Sequence, residues 1–201
     1  QNNSLENKKI SNMISQKFVF YPAQFWSHKN HKYLIEALNI LKEKHNIKLN
    51  AIFSGKDKGN LEFVKKLVSE KNLNDQIYFI DFVSEEEIVL LYKKCLALVM
   101  PTYVARSTLP LYEAFYFKIP VFYSKNILDK SLEEFVVTFD LNNFESLAIK
   151  LKQFISKEID LSEKIKNGNE YFLENCNKEK LSKNYTEVLD EYKFFKSIWK
   201  N

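Results

Sequence analysis

Short apolar runs alternate with segments of helical periodicity along most of the chain. Five runs have the length and apolar character of buried strands: residues 18–21, 49–53, 76–80, 97–100 and 120–123. Apolar residues at spacings of three and four predict helices over residues 30–44, 61–71, 85–92, 108–117, 143–155, 161–175 and 178–199. Strands that alternate with helices indicate βαβ units, so we expect an α/β fold with a Rossmann-like, doubly wound parallel sheet and a C-terminal helical extension.

The predicted elements divide the chain into three parts. Residues 1–17 are polar and form a linker or a frayed N-terminal segment, residues 18–160 form the α/β domain, and residues 161–201 form helices that pack on it. The last helix carries several aromatic residues, among them Tyr192, Phe195 and Trp199. We expect most of these rings to pack on the domain, with docking at a membrane surface as the alternative.

Composition narrows the class of protein. The chain has 201 residues with 45% hydrophobic content and a net charge of +4, and its lysines and glutamates are intermixed. This argues against a nucleic-acid binder but suits a site for an anionic ligand such as a diphosphate. No signal-peptide pattern or apolar run of about 18 residues occurs, so we expect a cytoplasmic protein with at most peripheral membrane contact. Because the chain lacks an initiator Met, we also expect it to be a processed chain or part of something longer.

Ligands of doubly wound sheets bind beyond the carboxyl ends of the strands, in the loops that follow them. After the fourth strand, Ser107 or Thr108 is a good N-cap and Pro110 suits the first helical turn. The free backbone amides of Ser107, Thr108 and Leu109 then form a ready site for a diphosphate. Glu113 follows about one turn later, where its carboxylate can accept hydrogen bonds from two neighbouring hydroxyls, such as those of a ribose. The alternative is that Glu113 complements the helix dipole or pairs with a lysine.

Residues 100–121 read M-P-T-Y-V-A-R-S-T-L-P-L-Y-E-A-F-Y-F-K-I-P-V. This pattern resembles the group 1 (family 4-like) retaining glycosyltransferases of the GT-B fold, whose C-terminal, nucleotide-sugar-binding domain carries E-x7-E followed by A-x-x-x-G-x-P-V. Glu113 matches the second glutamate, and the Pro-Val pair at 120–121 matches the ending. Ala105 stands at the position of the first glutamate. Because the first glutamate is absent, the resemblance implies that the backbone amides of residues 107–109 contribute more to binding the nucleotide sugar, which is the donor substrate.

The loop after the first predicted strand, Y-P-A-Q-F-W-S-H-K-N-H at residues 21–31, is similar to the family's G-R-x-x-x-x-K-G segment. The arginine and lysine of that segment clamp the diphosphate. Lys29 falls on the lysine, and Gln24 stands where arginine is usual. The resemblance implies that Lys29 and the dipole of the following helix act on the same phosphate. His28 and His31 flank Lys29 without a cysteine or carboxylate partner nearby, so we expect no metal ion here.

Further segments match the family in order. Ser54 and Gly55 correspond to its glycine-rich turn after the second strand, and Phe82 and Val83 to its F-x-G-x-V segment, whose backbone meets the nucleobase. Residues 135–140 resemble the strand that follows the site. The donor-binding residues implied by the resemblance are Gln24, Lys29, Ser54, Gly55, Phe82, Val83, Ser107, Thr108, Leu109 and Glu113, with Lys29 and Glu113 as the catalytic pair.

The resemblance implies a hexosyltransferase that binds a nucleoside-diphosphate sugar such as a UDP- or GDP-hexose, uses no cofactor, and serves bacterial-type polysaccharide or glycolipid assembly. The acceptor would bind an N-terminal domain that is missing from this chain. Two alternatives stay open: a non-catalytic nucleotide-sugar-binding or interaction module, and a GT-B-type nucleotide-sugar epimerase. A dehydrogenase is disfavoured because no G-x-G-x-x-G follows the first strand.

Overall fold

The structure is a computed structural model that describes residues 13–81, 83–104 and 109–199, with the side chain of Asn126 left out. The described strands are β1 (Phe18–Pro22), β2 (Asn50–Ser54), β3 (Ile77–Ile80), β4 (Ala97–Met100), β5 (Val121–Ser124) and β6 (Val137–Phe139). The described α-helices are α1 (His31–His45), α2 (Leu61–Glu70), α3 (Glu85–Lys94), α4 (Leu109–Tyr116), α5 (Phe144–Ile155), α6 (Ser162–Asn175) and α7 (Lys178–Ile198). Short 3-10 turns cover Ser27–Lys29, Lys125–Ile127 and Lys130–Phe135.

The six strands form one sheet in the order β3-β2-β1-β4-β5-β6, and every neighbouring pair is parallel. Strands β2, β4 and β5 are buried along their whole length, as expected for a parallel sheet covered by helices on both faces. This confirms the predicted doubly wound α/β fold. The sixth strand, which only the family resemblance indicated, pairs with β5 in the register Phe122↔Val137.

The apolar residues whose spacing predicted the helices are also the residues through which the helices pack. Leu34, Leu38 and Leu41 of α1 are fully buried in the core, and α1 packs against α5. At the start of α3, the Ser84 hydroxyl accepts a hydrogen bond from the Glu87 amide at 3.3 Å, and the Glu87 carboxylate accepts one from the Ser84 amide at 2.8 Å. This reciprocal pair is the predicted capping box, and it satisfies two amides that the helix itself leaves unbonded.

The two C-terminal helices differ in their packing. In α6, Asn169 is buried and donates to the Phe115 carbonyl of α4 at 2.9 Å, while Gly168 lies against the Phe115 ring. In α7, every residue is exposed, which differs from the expectation that this helix packs on the domain. Large apolar side chains follow one another along it at helical spacing: Leu181, Tyr185, Val188, Leu189, Tyr192, Phe195 and Trp199. The domain boundaries predicted after residues 17 and 160 stay predictions.

Within the described ranges, no helix combines the length and the apolar character needed to cross a bilayer.

Candidate functional site

A concave site of the described chain lies at the carboxyl ends of β1 and β4. These strands are neighbours in the sheet although their connections run to opposite edges, so a crevice opens between the loops that follow them. A cleft of about 750 Å³ occupies this position. It is lined by Pro22, Ala23, Gln24, Trp26, His28, Lys29, Met100, Val104 and Pro110. The sequence-predicted residues Gln24 and Lys29 therefore lie together in its wall.

A hydrogen bond from β1 fixes the backbone of Lys29. The buried Tyr21 hydroxyl donates to the Lys29 carbonyl at 2.6 Å. The chain then passes through Asn30, whose φ of 54° is left-handed, before α1 begins at His31. Asparagine tolerates this conformation better than most residues other than glycine. The strand, the 3-10 turn and the asparagine together place Lys29 at the start of α1, beside the cleft.

The ammonium group of Lys29 is half-buried, and burial lowers its pKa from the ordinary value. Among the described residues, no carboxylate forms an ion pair with it. A partly desolvated cation is unfavourable until an anion approaches it. The arrangement is suited to binding an anionic ligand in the cleft.

The first and fourth loops are joined through the His28 carbonyl. It accepts a hydrogen bond from the Tyr103 amide at 2.8 Å, and the buried Thr102 hydroxyl lies 3.1 Å from it. The Ser124 hydroxyl in turn donates to the Thr102 carbonyl at 2.8 Å. The bonds to the His28 carbonyl cross the β1–β4 junction, and the Ser124 bond joins the ends of β4 and β5, so the loops on both sides of the cleft are held in a fixed relation to each other.

Ser54 and Gly55 lie at the end of β2, beneath the first loop instead of in the cleft wall. A Cβ on Gly55 would lie 2.5 Å from the Ala23 carbonyl oxygen, so only glycine permits this close approach. The Phe25 amide donates to the Lys56 carbonyl at 3.0 Å and ties the same two loops together. Val83 follows β3, which is two strands from β1, and it is absent from the cleft lining.

Helix α4 forms the opposite wall. Pro110 lines the cleft, and Glu113 lies three residues further along on the same face of the helix but is itself absent from the described cleft lining. Glu113 is exposed, and its Oε2 accepts a hydrogen bond from the Tyr92 hydroxyl at 2.6 Å. Leu109 begins the helix and is 64% exposed. The remaining predicted positions, Phe82, Ala105, Ser107 and Thr108, lie outside the described residues.

Sequence reasoning missed Trp26, which is exposed and lines the cleft. Its indole N–H donates to the Gln24 side-chain oxygen at 3.1 Å, and the Lys58 ammonium lies 5.8 Å from its ring centroid. Gln24 therefore orients the Trp26 indole in the cleft lining, whereas the resembling family has an arginine at the position of Gln24. A tryptophan in the loop after β1 was the available signal, since aromatic residues are common in ligand sites.

His31 is fully buried and stacks on Phe25 at a centroid distance of 4.5 Å. Neither ring nitrogen has a well-formed hydrogen bond to a described residue. Burial lowers its pKa to about 3, and the opposing effect of the Ala23 backbone is smaller. His31 is thus a neutral core residue. No group of three potential metal-binding side chains occurs in the part of the chain that the structure describes.

The burial of His31 predicts a pH-dependent stability. In the unfolded state, the His31 imidazole binds a proton below its ordinary pKa of about 6.5, whereas in the folded state it binds one only near pH 3. The folded state therefore keeps its full stability above about pH 6.5 and loses stability as the pH falls below that value. We expect the free energy of unfolding to fall by about 1 kcal/mol between pH 6 and pH 5 from this residue. Urea unfolding should show a flatter pH dependence for His31→Phe but not for the control His45→Gln. Equal slopes for wild type and His31→Phe would contradict the assignment.

A parallel sheet in this order, with a lysine-lined cleft at its switch point, has the architecture of the Rossmann-like α/β domains. The family model for "Glycosyl transferases group 1" matches residues 4–172, and the chain belongs to that family. No significant match was found among curated proteins.

Solved structures of glycosyltransferases share the fold. HepE of Anabaena in complex with UDP and glucose superposes with a TM-score of 0.80 at 14% identity, covering 92% of this chain and 51% of that one. Sucrose-phosphate synthase from Thermosynechococcus elongatus gives 0.76 at 20% identity, covering 89% and 46%. The C-terminal domain of LpcC, a group 1 family protein from Francisella tularensis, gives 0.67 at 22% identity, covering 79% and 85%. The chain thus spans about half of the first two proteins and most of the isolated C-terminal domain.

Proposed function

We propose that this chain is the donor-binding half of a retaining hexosyltransferase and that the cleft between β1 and β4 binds a nucleoside-diphosphate sugar. The observation that carries the proposal is Lys29, a half-buried cation in the cleft wall without a carboxylate partner among the described residues. A diphosphate bound there supplies the missing negative charge. HepE, which shares the fold, was solved with UDP and glucose bound.

The proposed chemistry is stabilisation of the leaving diphosphate. As the bond between the sugar's anomeric carbon and the diphosphate oxygen breaks and a bond to the acceptor hydroxyl forms, negative charge grows on the phosphate oxygens, and a fixed cation lowers the energy of that transition state. Lys29 and the backbone amides at the start of α4 are the proposed donors of this stabilisation. Glu113, on the same face of α4 as Pro110, is proposed to accept hydrogen bonds from the ribose hydroxyls. The proposal requires no metal or cofactor.

The acceptor site is proposed to lie in an N-terminal domain outside this chain, within a protein of bacterial-type polysaccharide or glycolipid assembly. Support comes from the chain's coverage of only 51% of HepE and 46% of the synthase. The exposed apolar side chains of α7 are the proposed contact with that domain. The alternative is that these side chains dock peripherally on the cytoplasmic face of a membrane. We expect this chain alone to bind donor but to transfer little sugar, and full-rate transfer by it would contradict the proposal.

The two competing functions differ in what they require of the cleft. An epimerase needs acid–base carboxylates and histidines around the sugar, and the cleft lining drawn from the described residues contains one histidine, His28, and no carboxylate. A non-catalytic interaction module needs no nucleotide, whereas a non-catalytic nucleotide-sugar-binding module would still bind one. Binding of nucleoside diphosphates therefore separates the proposal from the interaction module.

Thermal unfolding with UDP, GDP, ADP and their hexose derivatives tests the proposal. A ligand that binds only the folded state at 100 times its Kd raises the melting temperature of a protein of this size by about 5–10 °C. We expect the nucleotides of one of the three bases to raise the melting temperature by this amount, and we expect the increase to be unchanged by EDTA. If no nucleotide raises the melting temperature, the proposal is wrong and the interaction module is favoured.

A further inference from the structure

The hydrogen bond between Tyr92 and Glu113 connects two helices of the domain. Tyr92 belongs to α3 and Glu113 to α4, and the two residues are 21 positions apart in the chain. The oxygen–oxygen distance of 2.6 Å is that of a strong hydrogen bond to a charged acceptor. A surface glutamate is normally free to change rotamer, so a bond of this kind selects one orientation of its carboxylate.

The ring of Tyr92 is itself immobilised. It is 1% exposed and meets the Phe20 ring edge-on at 5.2 Å, and it stacks on the Phe117 ring at 5.4 Å. Phe20 lies in β1, at the centre of the sheet. The Tyr92 hydroxyl that donates to Glu113 is therefore held in place by the packing of its ring in the core of the domain.

The Tyr92 hydroxyl acts as a permanent donor. Burial raises the pKa of Tyr92 far above its ordinary value, and the Glu113 carboxylate raises it further. The proton stays on the phenol, and Glu113 is bound as the acceptor.

Glu113 keeps the capacity to bind a ligand while it accepts this bond. A carboxylate has about four acceptor positions on its two oxygens, and the Tyr92 hydroxyl uses one position on Oε2. The residue remains exposed on the helical face that carries Pro110, which lines the cleft. Glu113 is not itself part of the described cleft lining, so a ligand hydroxyl can bind its carboxylate, without displacing Tyr92, where the ligand extends past Pro110 along α4.

We propose that Tyr92 is a positioning residue, which fixes the Glu113 carboxylate so that it binds the hydroxyls of the nucleotide ribose. This inference rests on the proposed function, because it assigns Glu113 to a ribose. It adds a residue from α3, a helix that contributes no side chain to the described lining of the cleft. A preoriented acceptor loses less conformational freedom on binding than a mobile one.

The test compares binding of UDP, GDP and ADP with binding of their 2′,3′-dideoxy forms, by calorimetry. For the ribonucleotide that binds, we expect Tyr92→Phe to raise the Kd about 5- to 10-fold, since it removes one charge-assisted hydrogen bond and keeps the ring. For the dideoxy form, we expect the Kd to change less than about 2-fold, because the hydroxyls that Glu113 would bind are absent. A purely structural role for Tyr92 would weaken both ligands equally.

Two further variants complete the experiment. Tyr116→Phe, at an exposed tyrosine of α4, is the matched control and should leave both Kd values unchanged. Tyr92→Phe added to Glu113→Ala should cause no further loss of ribonucleotide binding, because the acceptor it positions has gone. Equal effects on the two ligands, or additive losses in the double variant, would overturn the positioning role. If the unaltered chain binds no nucleotide, the proposed function fails and this inference fails with it.

Discussion

Gly55→Ala should destabilise the domain by about 2–3 kcal/mol and weaken nucleotide binding as well. The added Cβ would lie 2.5 Å from the Ala23 carbonyl oxygen and 2.7 Å from the Gln24 nitrogen, both of which are backbone atoms. Since backbone cannot rotate away as a side chain can, the first loop must move as a unit. That loop carries Gln24 and Lys29, so the cleft changes shape. Urea unfolding and nucleotide titration of the same preparation measure the two effects.

Gly59→Ala is the control for this substitution. Gly59 has a φ of 92°, and a Cβ there would meet no atom within 4 Å. We expect a backbone cost of about 1 kcal/mol and unchanged nucleotide binding. Gly55→Ala with wild-type stability and wild-type affinity would show that the loop does not rest on Gly55 as closely as the structure indicates.

Lys29→Gln should weaken binding of the nucleoside diphosphate about 10- to 100-fold. The substitution removes a charge-assisted hydrogen bond to a phosphate, which contributes about 1.5–3 kcal/mol in a partly desolvated site. Stability should not fall, because burial disfavours the charged form of Lys29 in the ligand-free protein. Loss of affinity without loss of stability is the signature of a binding residue. Calorimetry at two salt concentrations should also show a weaker salt dependence for the variant.

The control for Lys29→Gln is Lys32→Gln, at the second residue of α1. Lys32 is exposed and absent from the cleft lining, so the same loss of charge should change the affinity less than about 2-fold. Equal losses for the two variants would indicate a general electrostatic effect and would contradict a specific contact at Lys29.

The alternation of apolar runs and helical periods was enough to predict the fold. Buried parallel strands such as β2, β4 and β5 leave a nearly continuous apolar signal, and the Ser84 capping box marks the start of α3 by its residues alone. β6 is only three residues long and follows two short 3-10 turns, so its periodicity is too short to detect. The pattern of α7 predicted the helix but not its environment, since an apolar stripe does not specify its partner.

The site was predictable where it depends on position along a strand or helix. Lys29 and Gln24 follow β1, and strand order alone brings the ends of β1 and β4 together. Contacts that depend on side-chain direction were not predictable. The pairing of Trp26 with Gln24 and the bond from Tyr92 to Glu113 join residues whose approach is set by tertiary packing. The support of the first loop by Gly55 is of the same kind, because the sequence reveals a glycine but not what lies against it.

The central claim is that the nucleotide binds at the switch point between β1 and β4. Amide chemical-shift mapping tests it most directly, with the isotopically labelled chain titrated with UDP, GDP and ADP. We predict that the largest shifts occur in residues 22–30 and 101–104 and at the start of α4, with smaller shifts around Glu113. Shifts confined to α6, α7 or the loops at the amino ends of the strands, with residues 22–30 unchanged, would contradict the claim.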